Sequence, residues 1–317
     1  MVEVAVVASL LIAFGIGSND ASNALGICIG AGIIKLKRAI FLFGILVFLG
    51  IVLQGQKVMK TVGKNIVDVN MSIVIVALTI SAILIIISNW RRLPLSTNQV
   101  IIGSLIGAAV ASDSPVNITS IIKIVVSWII SPFVAMGFSF LLYKTLEKTI
   151  SKFPFFQIEK LLRAFLIFSG MLISYNTGAN ELATVLGPLM HSGIEINKIL
   201  LFSIASVMVF SGAILLSHRV IETVGKGITT LDPYSGFAAQ FGAGGCVLFF
   251  TFLGMPISTT YCIIGGISGV GLTKGISTVK FGLLKKIAIN FVVTPSLAFL
   301  LGYLALKLIY PYVFLYF

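Results

Sequence analysis

Acidic side chains are scarce in this sequence: Asp and Glu together number 10 in 317 residues, and charged residues of both signs make up only 10%. Soluble domains carry about 25% charged residues, so a water-facing globule is excluded. Three cysteines and two histidines are too few for a disulfide framework. Cys28, Cys246 and Cys262 lie singly in apolar sequence without metal-ligand spacing and read as small buried hydrophobes. His191 and His218 have no Cys, His or carboxylate at ligand spacing and read as interfacial residues. No cofactor is expected. Segments of about ten residues with alternating polarity are also missing, which excludes a transmembrane β-barrel.

What the chain has in abundance is apolar sequence. Hydrophobic residues make up 58% and the mean hydropathy is +1.11. Apolar runs of about 17–25 residues recur from end to end, the length a helix needs to cross ~30 Å of hydrocarbon. The expected class is an all-α polytopic protein embedded in the lipid bilayer. Residues 2–16 lack a basic leading region, carry Glu3 instead, and are followed by no small-residue cleavage pattern, so this segment is expected to be retained. The net charge of +12 would suggest nucleic acid in a soluble protein, but here the basic residues act first as topology signals, and no nucleic acid partner is expected.

The chain is written twice. "NDASNALG" (19–26) aligns without a gap on "NELATVLG" (180–187), and "TVGK" (61–64) recurs at 223–226. "PLSTNQVIIGSLIG" (94–107) matches "PISTTYCIIGGISG" (256–269), and Lys123 through Ser131-Pro132 matches Lys286 through Thr294-Pro295. Four anchors in one order with nearly constant displacement mark a duplication. Residues 1–145 form the first membrane repeat, 146–163 a short cytoplasmic linker and 164–317 the second repeat. Each repeat holds five apolar segments, an odd number, so the second enters from the opposite face and the repeats are inverted. Charge agrees: with the N-terminus outside, inner loops at 35–38, 89–92, 144–163, 217–232 and 273–286 hold sixteen of the 22 Lys and Arg. The positive-inside rule places both termini outside, in a multi-pass protein of the cell membrane.

Eight of the ten acidic residues fall in loops or at segment ends; Asp20 and Glu181 alone lie deep in apolar sequence, at equivalent positions of the duplication. A carboxylate at a helix centre costs roughly 2.5–3.5 kcal/mol on insertion scales, so something must compensate. Two carboxylates related by a pseudo-twofold axis would converge near the midplane, where transporters bind ions and substrates. Gly15, Gly17 and the Ser-Asn-Asp run in one repeat, and Gly178, Ala179 and Asn180 in the other, predict a break in each helix. Freed carbonyls together with Asn19, Asp20, Asn23, Asn180, Glu181 and Thr184 make a hard-oxygen set suited to Na⁺, or the carboxylates could carry H⁺.

The second duplicated element has the opposite character. In "PLSTN" and "PISTT" a proline and a Ser-Thr pair open an apolar helix, placing Ser96, Thr97 and Asn98, and Ser258, Thr259 and Thr260, in a first turn. Unpaired N–H groups and the positive end of the helix dipole make such a turn an anion site. The alternative is that these hydroxyls only cap their own helices. A fully deprotonated oxyanion would be repelled by Asp20 and Glu181. One that keeps a proton can donate to a carboxylate while its other oxygens accept. Phosphate at neutral pH keeps a proton and sulfate does not.

At these residues the chain resembles the PiT family of inorganic phosphate transporters, marked by a duplicated "GANDVAN"-like motif and a duplicated "PVSTTH"-like motif. The resemblance covers essentially the whole chain. It implies inverted repeats with broken or re-entrant helices around a midplane site, homodimerisation, and cation-coupled symport of phosphate rather than enzymatic activity. By matching, Asn19, Asp20 and Asn23 carry the first hallmark, Asn180 and Glu181 the second, and Ser96-Thr97 and Ser258-Thr259 the serine-threonine elements. Departures are Glu181 for Asp, Thr184 for Asn, Tyr261 for His and Asn98-Gln99 for Thr-His. Gln240 stands where relatives often carry Glu, which makes it a candidate cation ligand beside ordinary interhelical hydrogen bonding. The alternatives are a sulfate permease of the same fold, a passive anion channel, and an intramembrane hydrolase using Asp20 and Glu181 as an acid pair.

Overall fold

The computed structural model describes residues 2–30, 32–91, 95–150, 155–228, 233–275 and 281–313. The first repeat runs α1 (Val2–Gly30), α2 (Leu36–Gln54), a short α3 (Gln56–Lys60) ending in a wide π-helical turn (Thr61–Asn65), α4 (Met71–Arg91), α5 (Thr97–Ala111) and α6 (Ile118–Ile150). The second runs α7 (Phe155–Asn176), a π-helical turn (Thr177–Leu182), α8 (Ala183–Met190), α9 (Lys198–Ile228), α10 (Pro233–Phe252), α11 (Thr259–Thr273) and α12 (Phe281–Val313). Seven described helices are long and apolar enough to cross a membrane. α5 and α11, at 15 residues each, are not, because about 1.5 Å of rise per residue leaves them short of ~30 Å. Both are apolar helices too short to span the hydrocarbon by themselves.

The repeats interlock, each copy packing on the other in reciprocal fashion. A Cβ on Gly17 of α1 would collide with the Val209 carbonyl of α9, and a Cβ on the equivalent Gly178 would collide with the Val47 carbonyl of α2. Val47 and Val209 are themselves equivalent in the duplication. Gly103 of α5 meets the Pro295 carbonyl of α12, and its counterpart Gly265 of α11 meets the Pro132 carbonyl of α6. Lipid tails give helices no hydrophobic drive to associate, so close backbone approach over small residues supplies the contact instead. The same contacts made twice with the copies exchanged are the signature of a pseudo-twofold axis.

α4 and α5 form an antiparallel hairpin. Ser104 Oγ lies 2.7 Å from Ser81 Oγ and donates toward the Ala77 carbonyl at 3.0 Å. The open end is tied where Val67 bridges Val116 and the Asn117 N–H reaches the Ile66 carbonyl at 2.8 Å. α10 and α11 repeat the arrangement, with Gly266 against the Ala239 carbonyl. In both, the short helix begins from extended backbone: Ser96 has φ −90°, ψ 115° and Ser258 φ −81°, ψ 114°.

The expected break in the first repeat is not found: α1 continues unbroken through Asn19–Asn23. Side chains occupy the carbonyls that a break would release. Ser18 Oγ donates to the Gly15 carbonyl at 2.7 Å, Ser22 Oγ to the Asn19 carbonyl at 2.5 Å, and Asn89 Nδ2 of α4 to the Gly15 carbonyl at 3.0 Å. In the second repeat the disturbance is the π-helical turn over Thr177–Leu182 rather than unwound chain. α1 stops instead near Gly32, whose φ of +67° lets the Ile33 N–H return to the Cys28 carbonyl at 2.9 Å. Between the repeats, α6 extends to Ile150 and α7 begins at Phe155, so helix fills most of 146–163. Pro154 and His218 fall on positions that carry no described side chain.

Candidate functional site

Asp20 on α1 and Glu181 in the π-helical turn are buried, at 1% and 5% exposure, and their carboxyl groups interact directly across the axis. One Asp20 oxygen is held: Asn19 Nδ2 donates to Oδ1 at 3.3 Å and Asn23 Nδ2 at 3.1 Å. The other, Oδ2, is buried and has no hydrogen-bond partner among the described residues. Asn23 Nδ2 also donates to Thr260 Oγ1 at 3.2 Å. A single amide therefore joins the carboxylate to the first turn of α11, the acidic motif to the serine-threonine motif.

The two short-helix starts are brought together by one buried asparagine. Asn180 Oδ1 accepts from Asn98 Nδ2 at 3.0 Å and from the Ile257 N–H at 3.1 Å. Its Nδ2 donates to Thr251 Oγ1 at 2.8 Å and to the Met255 carbonyl at 2.9 Å. Asn98 Nδ2 also donates to the Ile257 carbonyl at 2.6 Å. Trp128 Nε1 of α6 donates to the Pro256 carbonyl at 2.6 Å and holds the second tip from behind. Ser258 caps α11 by accepting from the Tyr261 N–H at 3.4 Å, whereas Ser96 makes no side-chain cap bond on α5. Ser96 Oγ, Asn98 Oδ1, Gln99 Nε2 and Thr259 Oγ1 are buried polar atoms without partners among the described residues. Thr97 is half-buried on the same first turn.

Unpaired buried polar atoms are rare in folded proteins and call for an explanation. Here the set includes hydroxyl and amide donors at two helix starts and a carboxylate acceptor nearby, the groups an oxyanion bearing a proton would satisfy. Thr184 Oγ1 donates to the Asn180 carbonyl at 2.8 Å, leaving its lone pairs for a cation. Gln240 is more fully engaged: Nε2 donates to the Ala24 carbonyl at 2.6 Å and the Asn23 carbonyl at 3.3 Å, and Oε1 accepts from Ser169 at 3.0 Å. It clamps α1, α7 and α10 one turn from Asp20.

Several residues here escaped the sequence reading. Asn176 donates to the Gly244 carbonyl at 2.8 Å and keeps a buried, unpartnered Oδ1 one turn before Asn180. Asn89 reaches Ser18 at 2.9 Å, and Thr251 supports Asn180. Their only signal was polarity within an apolar run. Arg91 is exposed and lies 5.6 Å from the centre of the Trp90 ring.

Comparison with known proteins finds relatives over nearly the whole chain. A solved structure described as a sodium-dependent phosphate transporter superposes with a TM-score of 0.86, at 24% identity, over 98% of this chain and 99% of that one. A protein of Methanocaldococcus jannaschii, to which a phosphate permease role is assigned by inference, is 35% identical over 97% of this chain and 98% of its own length. A sulfate permease of Bacillus subtilis is 29% identical over 96% of this chain and 87% of its own. Family and fold are those of a transporter and not of an enzyme, which removes the intramembrane hydrolase. Residues 16–302 match the model of the phosphate transporter family. With interlocked membrane repeats and paired helix starts closing on two buried carboxylates, this chain is a multi-pass membrane protein and a member of that family.

Proposed function

We propose that the protein is a cation-coupled symporter of inorganic phosphate. The observation that carries the reading is the Asn23 bridge, which sets the Asp20 carboxylate beside the first turn of α11. Ser96 and Thr259 hydroxyls and the N–H groups of the two helix starts donate to phosphate oxygens. The open Asp20 Oδ2 accepts the phosphate proton. A Na⁺ or H⁺ held by Asp20 and Glu181, with the oxygens of Asn19, Asn23 and Thr184, offsets the burial of two facing carboxylates, while Asn180, whose Oδ1 already accepts two hydrogen bonds, supports the site from behind. Cation and anion thus each reduce the cost of binding the other, which is the physical content of coupling. The sodium dependence of the structural neighbour supports Na⁺ as the ion. Gln240 holds α1 through Nε2, and its Oε1, which accepts from Ser169, keeps a lone pair with which it can join the cation set. The distribution of Lys and Arg supports both termini outside.

A second reading, sulfate transport, is favoured by the Bacillus subtilis relative. Labelled phosphate uptake into proteoliposomes, with imposed Na⁺ or H⁺ gradients and sulfate as competitor, separates the two. Accumulation driven by a cation gradient and resistant to excess sulfate is expected. Uptake indifferent to both gradients would make the protein a passive channel, and uptake abolished by sulfate would make it a sulfate permease.

A further inference from the structure

Residues that touch their own counterpart in the other repeat must lie on the pseudo-twofold axis. Asp20 and Glu181 are one such pair, and Trp128 and Phe291 are another, edge to face with ring centres 6.1 Å apart. Gln99 and Tyr261 are a third, on the first turns of α5 and α11, where Tyr261 Oη donates to Gln99 Oε1 at 3.3 Å. Both are buried, Gln99 at 0% and Tyr261 at 2% exposure. With Oε1 turned to the phenol, Nε2 is left buried as an N–H donor with no partner among the described residues. Ser96 Oγ, on the residue that begins the same helix, is in the same condition.

A buried amide that gives its acceptor to a phenol and keeps its donor free is arranged for a ligand that accepts. We propose that Gln99 binds the transported oxyanion through Nε2 and that Tyr261 is the positioning residue that aims it. This deepens the reading of the site as an oxyanion carrier and rests on it. The pair breaks the symmetry of the site, since one repeat supplies the donor and the other its support. The bound anion is thereby drawn toward the α5 side of the axis. Because the two first turns belong to opposed hairpins, the Tyr261–Gln99 bond also sets how far apart the helix starts stand, and so which oxyanion fits between them.

The test compares Gln99→Met, Tyr261→Phe and the double variant in proteoliposomes, measuring KM and Vmax for labelled phosphate and for labelled sulfate. Thermal unfolding in detergent checks that each variant is folded. Loss of a donor to a charged ligand raises KM about tenfold or more, so Gln99→Met shows that increase for whichever anion the parent carries. Tyr261→Phe raises KM by less, about two- to tenfold, with Vmax nearly unchanged. The double variant is no worse than Gln99→Met alone, because the phenol acts through the amide. A Gln99→Met protein with parental KM overturns the ligand role, and additive losses in the double variant overturn the positioning role. Parent vesicles that accumulate neither anion overturn the underlying carrier reading, whatever the variants do.

Discussion

The two repeats are alike where they hold each other and unlike where they meet on the axis. Gly17 and Gly178, and Gly103 and Gly265, make the same backbone contacts with the copies exchanged. The pairs that meet on the axis instead diverge: Asp20 faces Glu181 and Gln99 faces Tyr261; beside them Asn98 and Asn23 correspond to Thr260 and Thr184, while Asn19, Ser96 and Thr97 recur unchanged as Asn180, Ser258 and Thr259. A glycine against a carbonyl tolerates no other side chain, so both copies keep it. An identical pair on a twofold axis sets like against like, donor on donor or carboxylate on carboxylate at equal length. Divergence lets a donor meet an acceptor. The carboxylates have kept their charge in both copies, and on the reading proposed above a shared cation or proton offsets what divergence has not removed.

The most severe way to break this comparison is to neutralise one carboxylate at a time. Asp20→Asn and Glu181→Gln are each expected to abolish accumulation while the protein still elutes as a folded species in gel filtration. Near-parental uptake by both would end the coupling role. Exchanging them, Asp20→Glu with Glu181→Asp, is expected to transport more slowly than the parent, because one sits on a regular helix and the other in a π-helical turn. Parental rates in the exchanged protein would mean that the backbone difference is irrelevant.

Framework substitutions should show symmetry where the site does not. Gly17→Val and Gly178→Val are each expected to lower stability by about 3 kcal/mol or more in thermal unfolding, and by similar amounts. A smaller, deliberately unequal pair is Asn180→Ala and Asn19→Ala. Asn180 serves four buried partners, so its loss is expected to remove about 2–4 kcal/mol. Asn19 makes one 3.3 Å bond and should lose less than about 1 kcal/mol. Equal losses would contradict the asymmetry. Gly137→Ala is the control with the smallest effect: a Cβ there meets nothing within 4 Å. It is expected to be neutral or to stabilise α6 by up to about 1 kcal/mol.

Much of the fold was legible because membranes constrain sequences strongly. Backbone groups in lipid must be satisfied within the segment, so apolar runs of spanning length announce helices. The duplication was visible because glycines and Ser-Thr starts recur in register. The proposed break in α1 was misread for a local reason. Gly15, Gly17 and the Ser-Asn-Asp run do weaken a helix, but Ser18, Ser22 and Asn89 satisfy its carbonyls, and Asn89 comes from a helix remote in sequence. Gln99 and Tyr261 were seen only as departures from a motif. That they bond each other requires knowing that both lie on the axis.

Read alone, the sequence determined the number and placement of apolar segments, the duplication and the two carboxylates stranded in hydrocarbon, since these follow from transfer energies and from repetition. Tertiary structure decided which polar atoms found partners. Asn180 fills its bonding capacity while Asp20 Oδ2, Ser96 Oγ and Gln99 Nε2 do not. A hydrogen bond depends on distances of tenths of an ångström between helices far apart in the chain, and no local pattern of residues encodes that.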